Sequence, residues 1–265
     1  IPDPIYGSQL SDFAIDGVSI ERDISGDRLL LERKNGMWAM REPVSTRVDQ
    51  AMLLEWIARL AAARIRTFVL DNPKDLAMFG LHAPVATFTV TDRNGTTHNM
   101  IIGGRVSAGS QDRYVMFENR PVVCTVSWDT LSPLFPSAEI FVDATGSAVS
   151  RFDIKQLAIR IGDSEFLVQR ELQRWVDLQG VQADSEAIEA LLTWILDTKP
   201  PRVSIGNYPK QDEFATVVLS GYDLMPLDTV RIALHQDGQW IIENGDNVLR
   251  LHHAEAGEVL EPFNR

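Results

Sequence analysis

LLLERKNGMW, Leu29 to Trp38, is answered later in the chain by FLVQRELQRW, Phe166 to Trp175. Phe166 falls opposite Leu29, Arg170 opposite Arg33 and Trp175 opposite Trp38. More pairs follow in the same order. LLEWI (Leu53 to Ile57) matches LLTWI (Leu191 to Ile195), ATFTV (Ala86 to Val90) matches ATVVL (Ala215 to Leu219), and VMFEN (Val115 to Asn119) matches WIIEN (Trp240 to Asn244). A preserved order with spacing that shrinks through the loops reads as an internal repeat. It predicts two units, residues 1–143 and 144–265, joined at the short, small-residue run Asp143-Ala144-Thr145-Gly146-Ser147 and packed against one another.

Each unit has the same grammar. RLLLERK and MWAM alternate around Asn35-Gly36, a dipeptide suited to a type I′ hairpin turn, and EFLVQR and RWVDL stand in the same places of the second unit. A helix follows. Leu53, Ile57 and Leu60 share one face beside Trp56, with Asp49 at the start and Arg64 and Arg66 after the end. In the second unit the helix runs from about Asp184 to Asp197, and Pro200-Pro201 stops it.

Strand-like runs come next: Val85–Thr91, Thr97–Ile102, Tyr114–Phe117 and Val122–Val126, then Glu213–Ser220, Thr229–His235, Trp240–Glu243 and Val248–Leu251. Asp92-Arg93-Asn94-Gly95 and Asn119-Arg120-Pro121 read as turns. Short closing helices are expected at Trp128–Leu134 and Ala254–Leu260. Strands, one helix, then more strands predict an α+β fold: two tandem repeats, each a mainly antiparallel sheet with one main helix and a short C-terminal helix.

Composition narrows the functions. The 265 residues carry 25 Lys+Arg against 37 Asp+Glu, a formal charge of −12. That balance argues against nucleic acid and anionic membrane surfaces, which need a dominant positive field. A single cysteine excludes an internal disulfide and any multi-cysteine metal site. The longest uncharged run, Leu76 to Thr91, is interrupted by Gly80, His82 and Pro84 and falls short of the roughly 20 residues of a membrane helix. The chain starts at Ile1, not at methionine, so a trimmed N-terminal piece is expected.

GMWAMREPVSTRVDQAMLLEWIARL (Gly36 to Leu60) presents a Trp, a Pro, an Asp opening a helix and then spaced leucines. DLAMFGLHAPVATFTVTDRNG (Asp75 to Gly95) carries an aromatic-Gly-Leu-x-x-Pro element leading into a strand. A Gly-Gly pair and RYVMFENRPVVCTV (Arg113 to Val126) complete the order. These stretches resemble the bacterial family of domain of unknown function 4340, over about Gly17 to Leu134, with the second half as a diverged copy. The resemblance implies a protein on the periplasmic face of the inner membrane, held by an N-terminal transmembrane helix that this chain lacks. It also implies genes beside ABC-type transporters of the gliding-motility kind. It carries over no catalytic residue.

The best candidate contact surface is GGRVSAGSQDR. Gly103 and Gly104 would let a backbone approach a ligand, and Arg105, Ser107, Ser110 and Arg113 suit an anion. The same composition also fits a plain, mobile surface loop. Without the Lys-Ser/Thr of a P-loop, nucleotide binding is disfavoured. Trp38, Trp56, Trp175 and Trp194 recur in both units and read as packing residues. Trp240 takes a strand position, whereas Trp128 has no counterpart and is a candidate partner anchor.

The five histidines lack metal-ligand spacing, and adjacent His252 and His253 point to opposite strand faces. Cys124 lies in an apolar strand and reads as a core residue, not a nucleophile. No cofactor, metal or catalytic residue is expected. The expected function is a non-enzymatic extracytoplasmic accessory or protein-interaction module with an ABC-type transporter or other envelope proteins as partner. The rivals are a glycan- or peptide-binding module using a groove between the repeats and, third, an envelope hydrolase.

Overall fold

The computed structural model describes residues 15–21, 27–118, 120–172, 174–206, 213–235 and 237–264. Asn119, Gln173 and Gln236, all at expected turns, lie outside that set. Two units divide the chain between Asp143 and Ala144.

The first unit opens with strand β1 (Ile15–Glu21), which buries Ile15, Val18 and Ile20 and pairs antiparallel with β2 (Arg28–Lys34). Asn35 and Gly36 take φ of 54° and 82°, as a type I′ turn demands, and turn the chain into β3 (Met37–Glu42). A two-residue strand, β4 (Thr46–Arg47), ends that side of the sheet. Helix α1 (Gln50–Ala62) then crosses one face, its Asp49 cap accepting from the N–H groups of Ala51 and Met52. After it the chain reaches the opposite edge as β5 (Thr67–Asp71). It returns to the centre as β6 (Ala86–Asp92) and fills the remainder with β7 (Thr97–Arg105), β8 (Arg113–Phe117) and β9 (Arg120–Val126). The nine strands lie in the order β4-β3-β2-β1-β6-β7-β8-β9-β5.

Register explains the core. Leu29, Ile20, Phe88, Met100 and Phe117 face one another across five strands, all buried. Residues opposite in register share a face, and α1 covers it with Leu53, Trp56, Ile57 and Leu60. Trp56 packs on Phe88 and edge-on to Phe141, and its indole N–H reaches Pro133 O at 3.1 Å. Gln50 fixes the helix start to the hairpin by accepting from Trp38 N and donating to Trp38 O. A smaller cluster of Phe79, Leu81, Met116 and Val123 lines the other face under the segment Leu76–Leu81.

The second unit contains β10 (Gln156–Ile161), β11 (Ser164–Glu171), β12 (Arg174–Asp177), helix α3 (Ser185–Leu196), β13 (Arg202–Ile205), β14 (Glu213–Ser220), β15 (Pro226–Leu234), β16 (Trp240–Glu243) and β17 (Val248–His252). Its eight strands run β12-β11-β10-β14-β15-β16-β17-β13. This is the first sheet's order with β4 left out. Asp184 caps α3 through Ala187 N, and Ile188, Leu191, Leu192 and Ile195 bury against Leu157, Ile159, Val217 and Ile232. Glu189 joins the helix to the sheet. It accepts from Trp175 Nε1 at 2.9 Å and Arg170 Nη2 at 2.7 Å, and also pairs with Arg151. Burial alone would raise its pKa, but these donors outweigh burial and hold the carboxyl below its ordinary value. Where Glu189 closes this node, the first unit has Ala51, and the buried Trp38 Nε1 makes no hydrogen bond among the described residues.

The architecture is α+β, built of two mostly antiparallel sheets. Both main helices and all the C-terminal strands fall where the sequence places them, within a few residues. Three expectations change. Gly103, Gly104 and Arg105 belong to β7, so the loop before β8 spans only residues 106–112. The first closing helix is four α-helical residues, α2 (Trp128–Leu131), running into a 3-10 turn, Ser132–Leu134. The last closing helix is a ten-residue 3-10 helix, Ala254–Phe263.

The β11–β12 turn carries a local conflict. Leu172 takes φ of 55° with its side chain 99% exposed, a conformation that opposes its Cβ and gains no burial. The first unit uses Asn35 at its own hairpin turn. Leu172→Asn is therefore expected to stabilise the protein by roughly 1 kcal/mol, read as a higher denaturant midpoint at unchanged slope.

Candidate functional site

Strand pairing brings Arg105, Arg113 and Trp128 to one corner of the first sheet. Arg105 of β7 lies directly opposite Arg113 of β8, which in turn lies opposite Val126 of β9. The chain leaves β9 through Ser127, whose hydroxyl caps α2, and so delivers Trp128 beside Arg113. The guanidinium carbon of Arg113 stands 5.6 Å from the indole centroid, a cation–π contact, and Trp128 remains 36% exposed. Arg66, just ahead of β5, reaches the same end of the sheet by donating its backbone N–H to Thr125 O.

The electrostatics of this corner are unusual for an acidic chain. Arg66 is neutralised by Asp112, as Arg47 is by Asp143. Neither Arg105 nor Arg113 has an ion-pair partner among the described residues, and Arg113 Nε makes no hydrogen bond. Partial burial and then the charge of Arg105 press the Arg113 guanidinium below its ordinary pKa.

The remaining predicted contact residues have local tasks. Ser110 Oγ accepts from Asp112 N at 3.0 Å, and Ser110 N donates to Ser107 O, so the loop between the arginines is internally tied. Gly103 and Gly104 run under the turn at Phe79-Gly80. A Cβ on Gly103 would lie 2.4 Å from Phe79 O, and one on Gly80 2.6 Å from Gly104 N. Close approach of two backbones accounts for these glycines. The tryptophans Trp38, Trp56, Trp175 and Trp194 are all buried, and Cys124 is buried in β9.

A second surface escaped the sequence reading. Between β14 and β15 the chain turns through Gly221–Met225, with Gly221 N donating to Met225 O. Tyr222 is 80% exposed and Met225 62%, and Leu224 and Leu227 also face solvent. Lys155 Nζ lies 4.2 Å from the Tyr222 ring centroid, and Phe152, three residues earlier, is exposed as well. The signal is present in YDLMPL, Tyr222 to Leu227, where four apolar side chains follow Gly221 around Pro226. Turn composition alone does not say that they stay uncovered.

Among the described residues, no three His, Cys, Asp or Glu side chains gather to hold a metal ion, and no helix is long and apolar enough to cross a membrane. The sheets and helices define a two-unit α+β protein. The pattern of the family described as Domain of unknown function (DUF4340) matches residues 38–200, and the chain belongs to that family. The matched span starts in β3 and passes into the second unit, ending after α3, whereas the sequence reading had placed the clear likeness over Gly17 to Leu134. No curated protein and no solved structure matches the chain.

Proposed function

We propose that the protein is a non-enzymatic, extracytoplasmic accessory module that binds a protein of an ABC-type envelope transport system. The observation that carries this reading is the uncovered apolar projection at Tyr222, Leu224, Met225 and Leu227. Clustered exposed apolar side chains mark an interaction site. Aromatic and Met side chains are also the types enriched at the centre of protein contacts.

We also infer that the two units descend from one duplicated unit. What supports this is the ordered series of sequence matches together with the common strand order of the two sheets.

The test uses the full-length protein in its native membrane, with a photo-crosslinker at Tyr222. The expected result is a crosslink to a transporter subunit. The triple variant Tyr222→Ser, Leu224→Ser, Met225→Ser should lower co-purification of that subunit about tenfold, as loss of a hot-spot contact does. Equal co-purification of variant and parent would overturn the reading.

A further inference from the structure

We infer that the Arg105–Arg113–Trp128 corner is a binding site for the carboxylates of an acidic peptide segment of a partner. Like charges directly opposite on neighbouring strands destabilise a sheet. The Arg105–Arg113 pair is nevertheless held in register with no acidic partner among the described residues. A bound oxyanion beside the two guanidinium groups offsets the repulsion.

Trp128 shapes the site. The cation–π contact holds the Arg113 guanidinium beside the indole. The exposed part of the indole provides an apolar wall for whatever carries the carboxylate. Asp112 does not occupy the site, because its carboxylate is engaged by Arg66. The bond from Asp112 N to Ser110 Oγ ties the intervening loop to itself.

A peptide, in preference to a free phosphate, fits the layout. The charges are spread along one register line beside an aromatic surface. The N–H groups of Val106, Ser110 and Asp112 in the intervening loop are already given to Asp112 O, Ser107 O and Ser110 Oγ, not to a phosphate cradle. This surface belongs to the first unit, and the apolar projection at Tyr222 belongs to the second. It extends the reading of the protein as an interaction module, and either can fail without the other.

The experiment is a titration of the ¹⁵N-labelled protein at low salt with a tetraglutamate peptide, and in a parallel arm with inorganic phosphate. It follows the Trp128 indole and Arg113 Nε–H resonances. The expected result is a saturable shift of both signals by the peptide, with phosphate binding about tenfold more weakly. Arg105→Gln and Arg113→Gln should each raise the peptide Kd about tenfold.

Arg105 is exposed, so its variant keeps the test sound if replacement of the half-buried Arg113 disturbs folding. Absence of a saturable shift overturns the proposal, as does an unchanged Kd in the Arg105→Gln variant. Phosphate binding as tight as the peptide's overturns the assignment to a peptide.

Discussion

Between about pH 6.5 and pH 4 the protein is expected to lose stability on account of one buried imidazole. His252, at the end of β17, is 2% exposed, packed edge-on to Trp194, with Nε2 making no hydrogen bond among the described residues. Burial first, then the charges of Arg250 and His253, push its pKa from 6.5 down to about 4. In the unfolded chain the ring binds a proton below about pH 6.5, while the folded protein keeps it neutral until about pH 4. The unfolded state therefore holds more protons across this interval, and stability falls as pH falls. The full loss, reached as pH drops through the folded value, is on the order of 3 kcal/mol.

Carboxylates held below their ordinary values, Glu189 among them, begin to add their own loss at about pH 5, so the upper part of the interval isolates the histidine. Denaturant melts at pH 7 and pH 5.5, above the range where the carboxylates contribute, check the result. In His252→Leu the drop between these two pH values should largely vanish. An equal drop in the variant would show that the imidazole is not its source.

Gly103→Ala is expected to be the most damaging single methyl on the first sheet. The segment Leu76–Leu81 caps the sheet's outer cluster, and Phe79 O comes within 2.4 Å of where the new Cβ would stand, with Leu81 Cδ2 at 3.0 Å. A carbonyl of the main chain cannot step aside as a flexible side chain can. The turn must lift, loosening Phe79 from Tyr114 and Leu81 from Val123. Overpacking of this kind costs about 3 kcal/mol. Gly104→Ala is the control: its Cβ would meet the same oxygen at 3.5 Å, an ordinary contact, so a change within about 1 kcal/mol is expected. Unfolding midpoints of the two variants provide the comparison. Similar losses at both positions would contradict the steric account.

Periodicity and turn chemistry made much of this fold legible. The Asn35-Gly36 turn, both capping aspartates and the buried faces of α1 and α3 follow from local rules that tertiary context did not override. The edge strands β5 and β13 were missed for a physical reason. Every residue of β5 is exposed, so TFVLD shows no alternation, and β13 is only four residues long.

The candidate corner was half legible. Arg105, Arg113 and Trp128 stood out by type, but their meeting depends on the β7–β8–β9 register, which sequence spacing does not disclose. The glycines misled more. Gly103 and Gly104 looked like a flexible loop, yet they are strand residues whose lack of a side chain answers to Phe79 and Gly80, far back in the chain. His252 was placed correctly on a strand end, but its burial came from Trp194 on a helix distant in sequence.

The path of the chain through the first sheet imposes an order in time. β5 is synthesised directly after α1, yet its partner is β9, the last strand of that sheet to leave the ribosome. Until then Phe68, Val69 and Leu70 belong to a segment with no place in the sheet, and local contacts offer it none. Closing it requires a long loop of chain to be fixed first, which slows folding and prolongs exposure of a sticky strand. The same delay recurs for β13, which waits for β17. Each sheet is thus completed by its final strand, and a ribosome that stalls before Val126 leaves the first sheet unfinished at the edge most prone to pairing with a neighbouring nascent chain.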